Sequence, residues 1–155
     1  AQGDYITRKA IADFINKNEE NRPEAALSAL ESAIVAVYWM PESPCYTPSP
    51  AISPEALLAL PLRLRAASLL LALDYPAEDY LTAFRAEEPL PELPPQRSHY
   101  LVVRHQDRVR RYPLKPAEYK ALQQKTFEEA LQLATTPEQA QRWLSRWISH
   151  GFLAG

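Results

Sequence analysis

Apolar positions in the first quarter of the chain recur at helical spacing and predict two helices. The apolar face of the first, short helix consists of Ile6, Ala10, Ile11, Phe14 and Ile15. The second helix lies in NRPEAALSALESAIVAVYWM, where Pro23 suits the first helical position because a first-turn nitrogen needs no partner within the helix. One face of this second helix is marked by Leu27, Leu30, Ile34 and Tyr38.

The end of the second predicted helix, residues 33–40, is apolar on every side. Such a segment is buried on more than one side. It is either a helix of the protein's own core or a helix that also packs on a partner protein. The residues assigned to a partner interface on this basis are Ile34, Tyr38, Trp39 and Met40.

Proline dominates the next stretch, with six prolines between positions 41 and 61. Because proline fixes φ and has no N–H, this stretch predicts an extended, irregular crossing, interrupted by a short helix over residues 54–60. Alternating leucines and arginines then predict an extended strand from Leu62 to about Leu71. A further helix is predicted from Pro76.

A second proline cluster, EEPLPELPPQ, is the strongest domain boundary in the chain. It divides a mainly helical, partner-binding part, residues 1–95, from a second module, residues 96–155. The second module opens with YLVVRHQDRVRRYPL, two apolar-rich runs that predict a β-hairpin with its turn at Gln106-Asp107.

Three helices are predicted after the hairpin, from their start and stop signals. They begin near Pro116, Thr126 and Thr136, and the last ends before Gly151. A hairpin plus three helices are the parts of a winged helix-turn-helix with the hairpin placed first. The predicted fold class is therefore α+β: a helical N-terminal part with a proline-rich extended crossing, then a winged-helix-like C-terminal module.

Composition narrows the function. Of 155 residues, 46% are apolar, so the chain can bury a core, and only three are glycine, so no glycine-rich phosphate cradle can be drawn. One cysteine excludes an internal disulfide and fits a reducing, cytoplasmic location. The polar N-terminus and the short apolar runs predict neither a signal peptide nor a membrane span.

Charge is unevenly spread along the chain. Residues 97–120 hold seven Lys or Arg against two acids, a balance of +5, whereas the whole chain carries −2. The rest of the chain is therefore acidic, near −7. The basic segment coincides with the predicted hairpin and the start of the helix after it.

Residues suited to catalysis are sparse. His99, His105 and His150 have no metal-ligand spacing. Cys45 has no base beside it in the sequence, and no G-x-S-x-G nucleophile motif occurs. The sequence therefore predicts an accessory protein rather than an enzyme, with no catalytic residue, no metal ligand and no cofactor of its own.

Peptide binding is better supported, because an extended peptide can complete the ladder at an open sheet edge. The predicted peptide-binding residues are Tyr100, Val102, Arg104, Arg110, Arg111, Tyr112, Trp143 and Trp147. Two points stay open. The tryptophans are either a groove wall or plain core, and the arginines either grip a ligand or form a solvated rim.

The same residues allow a different function, a winged-helix DNA-binding transcriptional regulator. Arg142, Arg146 and His150 would form an exposed stripe on the last helix, and the hairpin arginines would form the wing. The sequence pI near 6.0 argues against this alternative, because many DNA-binding domains of this size are much more basic. A free-standing structural domain without a ligand is a third interpretation.

Four stretches, in order, carry a resemblance to a known family: ALESAIVAVYWMPES, LPLRLRAASLLLALDYP, YLVVRHQDRVRRYPL and WLSRWISHGFL. The chain from about Ala26 to Gly155 resembles the MbnC/TglI-like partner proteins of multinuclear non-haem iron-dependent oxidases, which are related to the C-terminal part of HvfC-type proteins. It departs from the HvfC type by lacking a full helical domain in front.

The resemblance implies a division of labour. An MbnB-like iron-dependent oxidase would hold the iron, and this chain would form a heterodimer with it. The chain would also recruit the leader of a ribosomally made precursor peptide for cysteine modification, of the methanobactin oxazolone/thioamide type or a related one. A nucleic-acid partner is not favoured, and no membrane partner is expected.

Overall fold

The computed structural model describes residues 23–155, so the predicted first helix lies outside the described residues. This part is a mixed α+β fold with six helices and one three-stranded antiparallel sheet, which confirms the predicted class at that level. The helices are α1 (Pro23–Trp39), α2 (Pro54–Ala59), α3 (Ala77–Arg85), α4 (Pro116–Ala121), α5 (Phe127–Leu131) and α6 (Pro137–Ser149). The strands are β1 (Ser68–Leu73), β2 (Ser98–His105) and β3 (Arg108–Leu114).

The sheet has the order β1-β2-β3, so β2 is the central strand. In the register of the sheet Leu71 lies opposite Tyr100, and Leu101 lies opposite Tyr112. Because β1 precedes the second proline cluster and β2 follows it, the sheet spans the predicted division at residues 95/96. That division stays a prediction.

The strand predicted from Leu62 begins six residues later, at Ser68. Residues 63–65 pair with the end of the chain instead of with β2, and the first contact with β2 is at Ala67, whose carbonyl accepts from the Arg104 amide at 2.9 Å. The Arg65 amide donates to the carbonyl of Phe152 at 3.0 Å, and the Ala154 amide donates to the carbonyl of Arg63 at 2.8 Å. Alternating leucines thus marked an extended segment correctly, but its pairing partner decided where the sheet begins.

Each face of the sheet is covered by helices. On one face, Leu71 and Val102 belong to a core formed with α1 and α3. On the other face, Leu101 and Val103 belong to a core formed with α4, α5 and α6 and with Phe152. A fully buried apolar side chain of this size contributes about 1.5–3 kcal/mol relative to exposure, so both faces of β2 stabilise the fold.

The face that α1 buries agrees with the predicted one at Leu27 and Leu30, which are buried, but not at its end. Its buried stripe contains Ala26, Leu30, Ala33 and Val37, whereas Tyr38, predicted on the inner face, is 55% exposed. The alanines explain the difference, because small side chains let the helix approach the sheet closely along their own stripe. The predicted helix is correct, and its predicted inner face is correct except at Tyr38.

Local turn and cap signals were more reliable. Gln106 and Asp107 have φ of 52° and 63°, the left-handed pair that a two-residue hairpin turn requires, although neither is glycine. Thr126 and Thr136 accept hydrogen bonds from the amides of Glu129 and Gln139, as N-caps do. The predicted turn and both caps are confirmed.

The centre of the second core is a stacked pair, Trp143 and Trp147, whose ring centroids lie 6.0 Å apart. The Trp147 indole donates to the carboxylate of the buried Glu118 at 2.9 Å. A buried carboxylate needs such a partner, because an unpaired polar group in the core costs free energy. None of the helices in the described part of the chain is long and apolar enough to cross a bilayer.

Trp147→Phe should lower the free energy of unfolding by about 2 kcal/mol, because it leaves the Glu118 carboxylate without this donor. Urea unfolding followed by circular dichroism measures the change. Trp39→Phe is the matched control: Trp39 is 78% exposed, and its replacement should shift stability by no more than about 0.5 kcal/mol. An equal, small effect of both variants would contradict a structural role of the Trp147–Glu118 bond.

Candidate functional site

Four of the predicted peptide-binding residues lie in the core. Val102 and Trp147 are fully buried, and Trp143 is nearly so. Tyr100 is buried as well, and its hydroxyl accepts a hydrogen bond from the Glu78 amide at 2.8 Å. Burial raises the pKa of Tyr100, which keeps the phenol neutral. The two tryptophans therefore lie in the core, as the second of the two interpretations left open by the sequence has it.

Two of the predicted binding arginines have partners inside the protein. Arg104 donates to the carbonyls of Tyr38 and Met40, the latter at 2.7 Å, and so holds the end of α1 against β2. Arg111 binds the Glu78 carboxylate through two nitrogens at 2.7 and 2.9 Å, and this pairing raises the pKa of Arg111. These guanidinium groups are part of the scaffold.

Two predicted binding residues reach the surface. Arg110 is exposed on β3. Tyr112 is half-buried and lies against the ring of Phe152, with the Arg146 guanidinium 5.8 Å from its own ring centroid. The predicted peptide site is therefore dispersed, and only part of β3 presents its residues to solvent.

The outer edge of β3 is open. A two-residue turn makes His105 and Arg108 a hydrogen-bonded pair, so the backbone groups of Val109 and Arg111 point away from β2. No further strand lies beyond β3 among the described residues. Pro113 also faces this edge, where it has no N–H to offer, and Arg146 donates to its carbonyl at 3.2 Å. The open edge therefore offers two residues with free donors and acceptors.

An exposed apolar surface adjoins this edge; we call it the α1-end patch. It consists of Ile34, Val35, Tyr38, Trp39 and Val109, which with Asp107 line a groove of about 340 Å³. Val35, Tyr38 and Trp39 are 59%, 55% and 78% exposed. Met40, predicted at the partner interface with these residues, is only 7% exposed and belongs to the core instead. The helix ends there, and the turn that follows directs Met40 inward.

A third feature was not found by sequence analysis. Cys45, Arg65 and His105 line an open pocket of about 490 Å³ between residues 42–45 and residues 105–107. The Sγ of Cys45 lies 3.4 Å from Nδ1 of His105, and Arg65 Nη1 lies 2.8 Å from the same nitrogen. The base that Cys45 lacked in sequence is 60 residues away along the chain.

Gly151 makes room for this cluster. Its φ is +69°, and a Cβ added there would lie 2.3 Å from Nδ1 of His105. The sequence signal at Gly151 was interpreted only as the end of a helix. Its second role is that the imidazole packs directly on the glycine backbone.

Comparison with protein-family models, with curated proteins and with solved structures gave no match to this chain. The family resemblance therefore depends on the four sequence stretches alone. Within residues 23–155 no group of three or more His, Cys, Asp or Glu side chains is arranged to hold a metal ion.

Stability should depend on pH through His105. Burial and, after it, the charge of Arg65 lower the pKa of His105 below its ordinary 6.5. The unfolded chain therefore takes up a proton more readily, so this contribution is complete above about pH 6.5 and is lost as pH falls toward the folded pKa. The urea midpoint should be lower at about pH 5.5 than at about pH 7.5.

His105→Gln should reduce this pH dependence. Burial also lowers the pKa of His99, so this histidine acts in the same direction, and His99→Gln measured in parallel isolates its share. A pH dependence unchanged in His105→Gln would show that the imidazole is not held neutral in the fold.

Proposed function

We propose that this chain is the non-catalytic subunit of an iron-dependent oxidase complex in the cytoplasm. It forms a heterodimer with an MbnB-like oxidase and recruits the leader of a precursor peptide whose cysteine the oxidase modifies. The observation that carries the proposal is the position of the α1-end patch beside the open edge of β3. Two adjoining surfaces, one apolar and one with free backbone groups, suit two different partners.

The α1-end patch suits a folded protein. Aromatic side chains such as Tyr38 and Trp39 are enriched at interface centres, where they supply most of the binding free energy. Their rings pack edge to face, with centroids 5.0 Å apart, and Arg104 fixes the backbone that carries them. The patch is therefore preorganised, and association costs less conformational entropy than it would for mobile side chains.

The edge of β3 suits an extended peptide. Strand addition would use the backbone groups of Val109 and Arg111, and Pro113 would end the added ladder. The exposed Arg108 and Arg110 flank this edge. Their charge would steer acidic residues of a leader toward it, which mainly raises the association rate. The hairpin followed by α4, α5 and α6 is the winged-helix-like module of this proposal.

The geometry weakens the DNA-binding alternative. Arg146, predicted on the exposed stripe of α6, contacts Pro113 and the ring of Tyr112, and Arg111 of the predicted wing is paired with Glu78. To bind either guanidinium group, the phosphates of DNA would have to displace its partner in the protein. Two of the arginines that suggested DNA binding therefore already have partners within the protein.

Trp39→Glu should weaken binding to the proposed MbnB-like oxidase partner by at least about 30-fold, because an aromatic anchor at an interface centre contributes about 2 kcal/mol or more. Titration calorimetry with the purified oxidase measures the change. Phe84→Glu is the matched control, since Phe84 is 59% exposed on α3 and is not one of the residues that form the patch. Equal weakening by both variants, or by neither, would place the interface elsewhere.

Val109→Pro should weaken leader binding by about five- to tenfold, because it removes a donor from the open edge of β3 and leaves the β2–β3 hydrogen bonds intact. Fluorescence anisotropy with a labelled leader peptide measures the affinity. Val109→Ala, which shortens the side chain and keeps the N–H, is the control.

The same titration with duplex DNA separates the two functions. Leader binding should weaken only modestly with salt, whereas duplex binding would fall steeply as counterions are released. Tight, salt-dependent duplex binding without leader binding would overturn the peptide proposal and favour the regulator.

A further inference from the structure

The two faces of strand β3 carry different side chains. Val109 packs against the core that α1 and α3 form on one face of the sheet. Tyr112 and Leu114 belong to the core on the opposite face, with α4, α5 and α6. Because side chains alternate along a strand, Arg108 and Arg110 lie on the same face as Tyr112. The open edge of β3 is therefore bordered by an apolar side chain on one face and by two guanidinium groups on the other.

These two guanidinium groups differ from the other arginines of the hairpin. Arg104 and Arg111 donate to a carbonyl and a carboxylate of the protein, as described above. Arg108 and Arg110 are exposed, and neither forms an ion pair with an acid among residues 23–155. Alternate positions of a strand are about 7 Å apart, so the two like charges repel each other weakly. A ligand that places negative charge beside them would remove this repulsion.

The backbone determines which ligand residue lies beside which side chain. In an antiparallel addition, the outward N–H and C=O groups of Val109 and Arg111 each pair with one ligand residue. The ligand residue opposite Arg110 then lies between these two pairs, where Cα atoms are about 4.5 Å apart and side chains are closest. Its side chain points to the same face as the side chain of Arg110. The ligand residue opposite Val109 points to the other face, next to the groove of the α1-end patch.

We propose that the open edge of β3 selects an extended peptide that contains an acidic–apolar–acidic triplet. The two acidic side chains lie opposite Arg108 and Arg110, and the apolar side chain lies opposite Val109. Arg110 is the stronger determinant, because Asp107 precedes Arg108 and offsets part of its charge. Electrostatic steering needs acidic residues anywhere in a leader, whereas this selection needs them at alternate positions.

The selection does not extend beyond the triplet. Glu78 already neutralises the charge of Arg111, so the ligand residue opposite Arg111 meets no free charge. Pro113 has no N–H and ends the added ladder. The inference rests on the proposed function, to which it adds the sequence of the recognised segment. The apolar side chain would fill only the end of the groove at Val109, and the rest of the α1-end patch stays available to the folded partner.

Two fluorescein-labelled synthetic peptides of the same composition test the order of residues. One has Thr-Glu-Val-Glu-Thr at its centre and the other Thr-Glu-Glu-Val-Thr, so their charges are equal. In the second peptide at most one glutamate can share a face with the arginines, because side chains alternate. The first peptide should bind the full chain about fivefold more tightly, since opposite charges and apolar side chains stabilise cross-strand pairs. Fluorescence anisotropy measures both affinities.

The possible failures are distinguishable. Equal affinity for the two peptides would overturn the triplet, and if Val109→Pro then weakened both, strand addition at this edge would stand without the selectivity. Binding of neither peptide at millimolar concentration would also overturn the triplet. The leader titration described above decides the proposed function separately.

Arg110→Gln tests the residue that the proposal makes the main determinant. It should reduce the preference for the first peptide to about twofold or less, because the closest opposite-charge pair is lost. Lys125→Gln is the matched control: Lys125 is exposed between α4 and α5, and its replacement removes one positive charge outside the hairpin. This control should keep the preference, since a general loss of charge weakens both peptides equally. An unchanged preference in Arg110→Gln would contradict the proposal.

Discussion

Burial of both faces of the central strand β2 is the constraint on which the rest of the structure depends. Val102 faces the helices α1 and α3, and its neighbour Val103 faces α4, α5 and α6. Since β1 and β3 pair with β2 on either side, both helical layers pack on a sheet that β2 holds together. This strand also fixes the three surface features, because each lies on β2 or on an element that pairs with or packs on it. They are the α1-end patch, the hairpin tip and the Cys45 pocket.

Local signals in the sequence predicted the local structure well. A helix cap or a tight turn involves only residues a few positions apart, so its signal can be recognised in the sequence. Examples are Thr126, Thr136 and the Gln106-Asp107 turn. Most helix starts were predicted to within a residue or two for the same reason. The α+β class followed from these elements and did not require their packing.

Burial was harder to predict, because it depends on partners far away in the chain. An alternating strand indicates which residues share a face, but Tyr100 and Val102 face a helix layer that the sequence alone did not place over them. Arg104 and Arg111 look like surface charges until the carbonyl of Met40 and the carboxylate of Glu78 are brought to them by folding. The Cys45 cluster was missed because its base, His105 at the end of β2, lies 60 residues further along the chain.

Pro113 has a consequence for how copies of this chain meet one another. A small sheet with an open edge is a template for the same edge of a second copy, and such pairing can continue into fibrils. Here the proline interrupts the edge after Val109 and Arg111, and the positive charges beside it repel an identical strand. A short, positively charged edge of this kind disfavours pairing with an identical edge, which protects a sheet whose edge strand has no neighbour among the described residues.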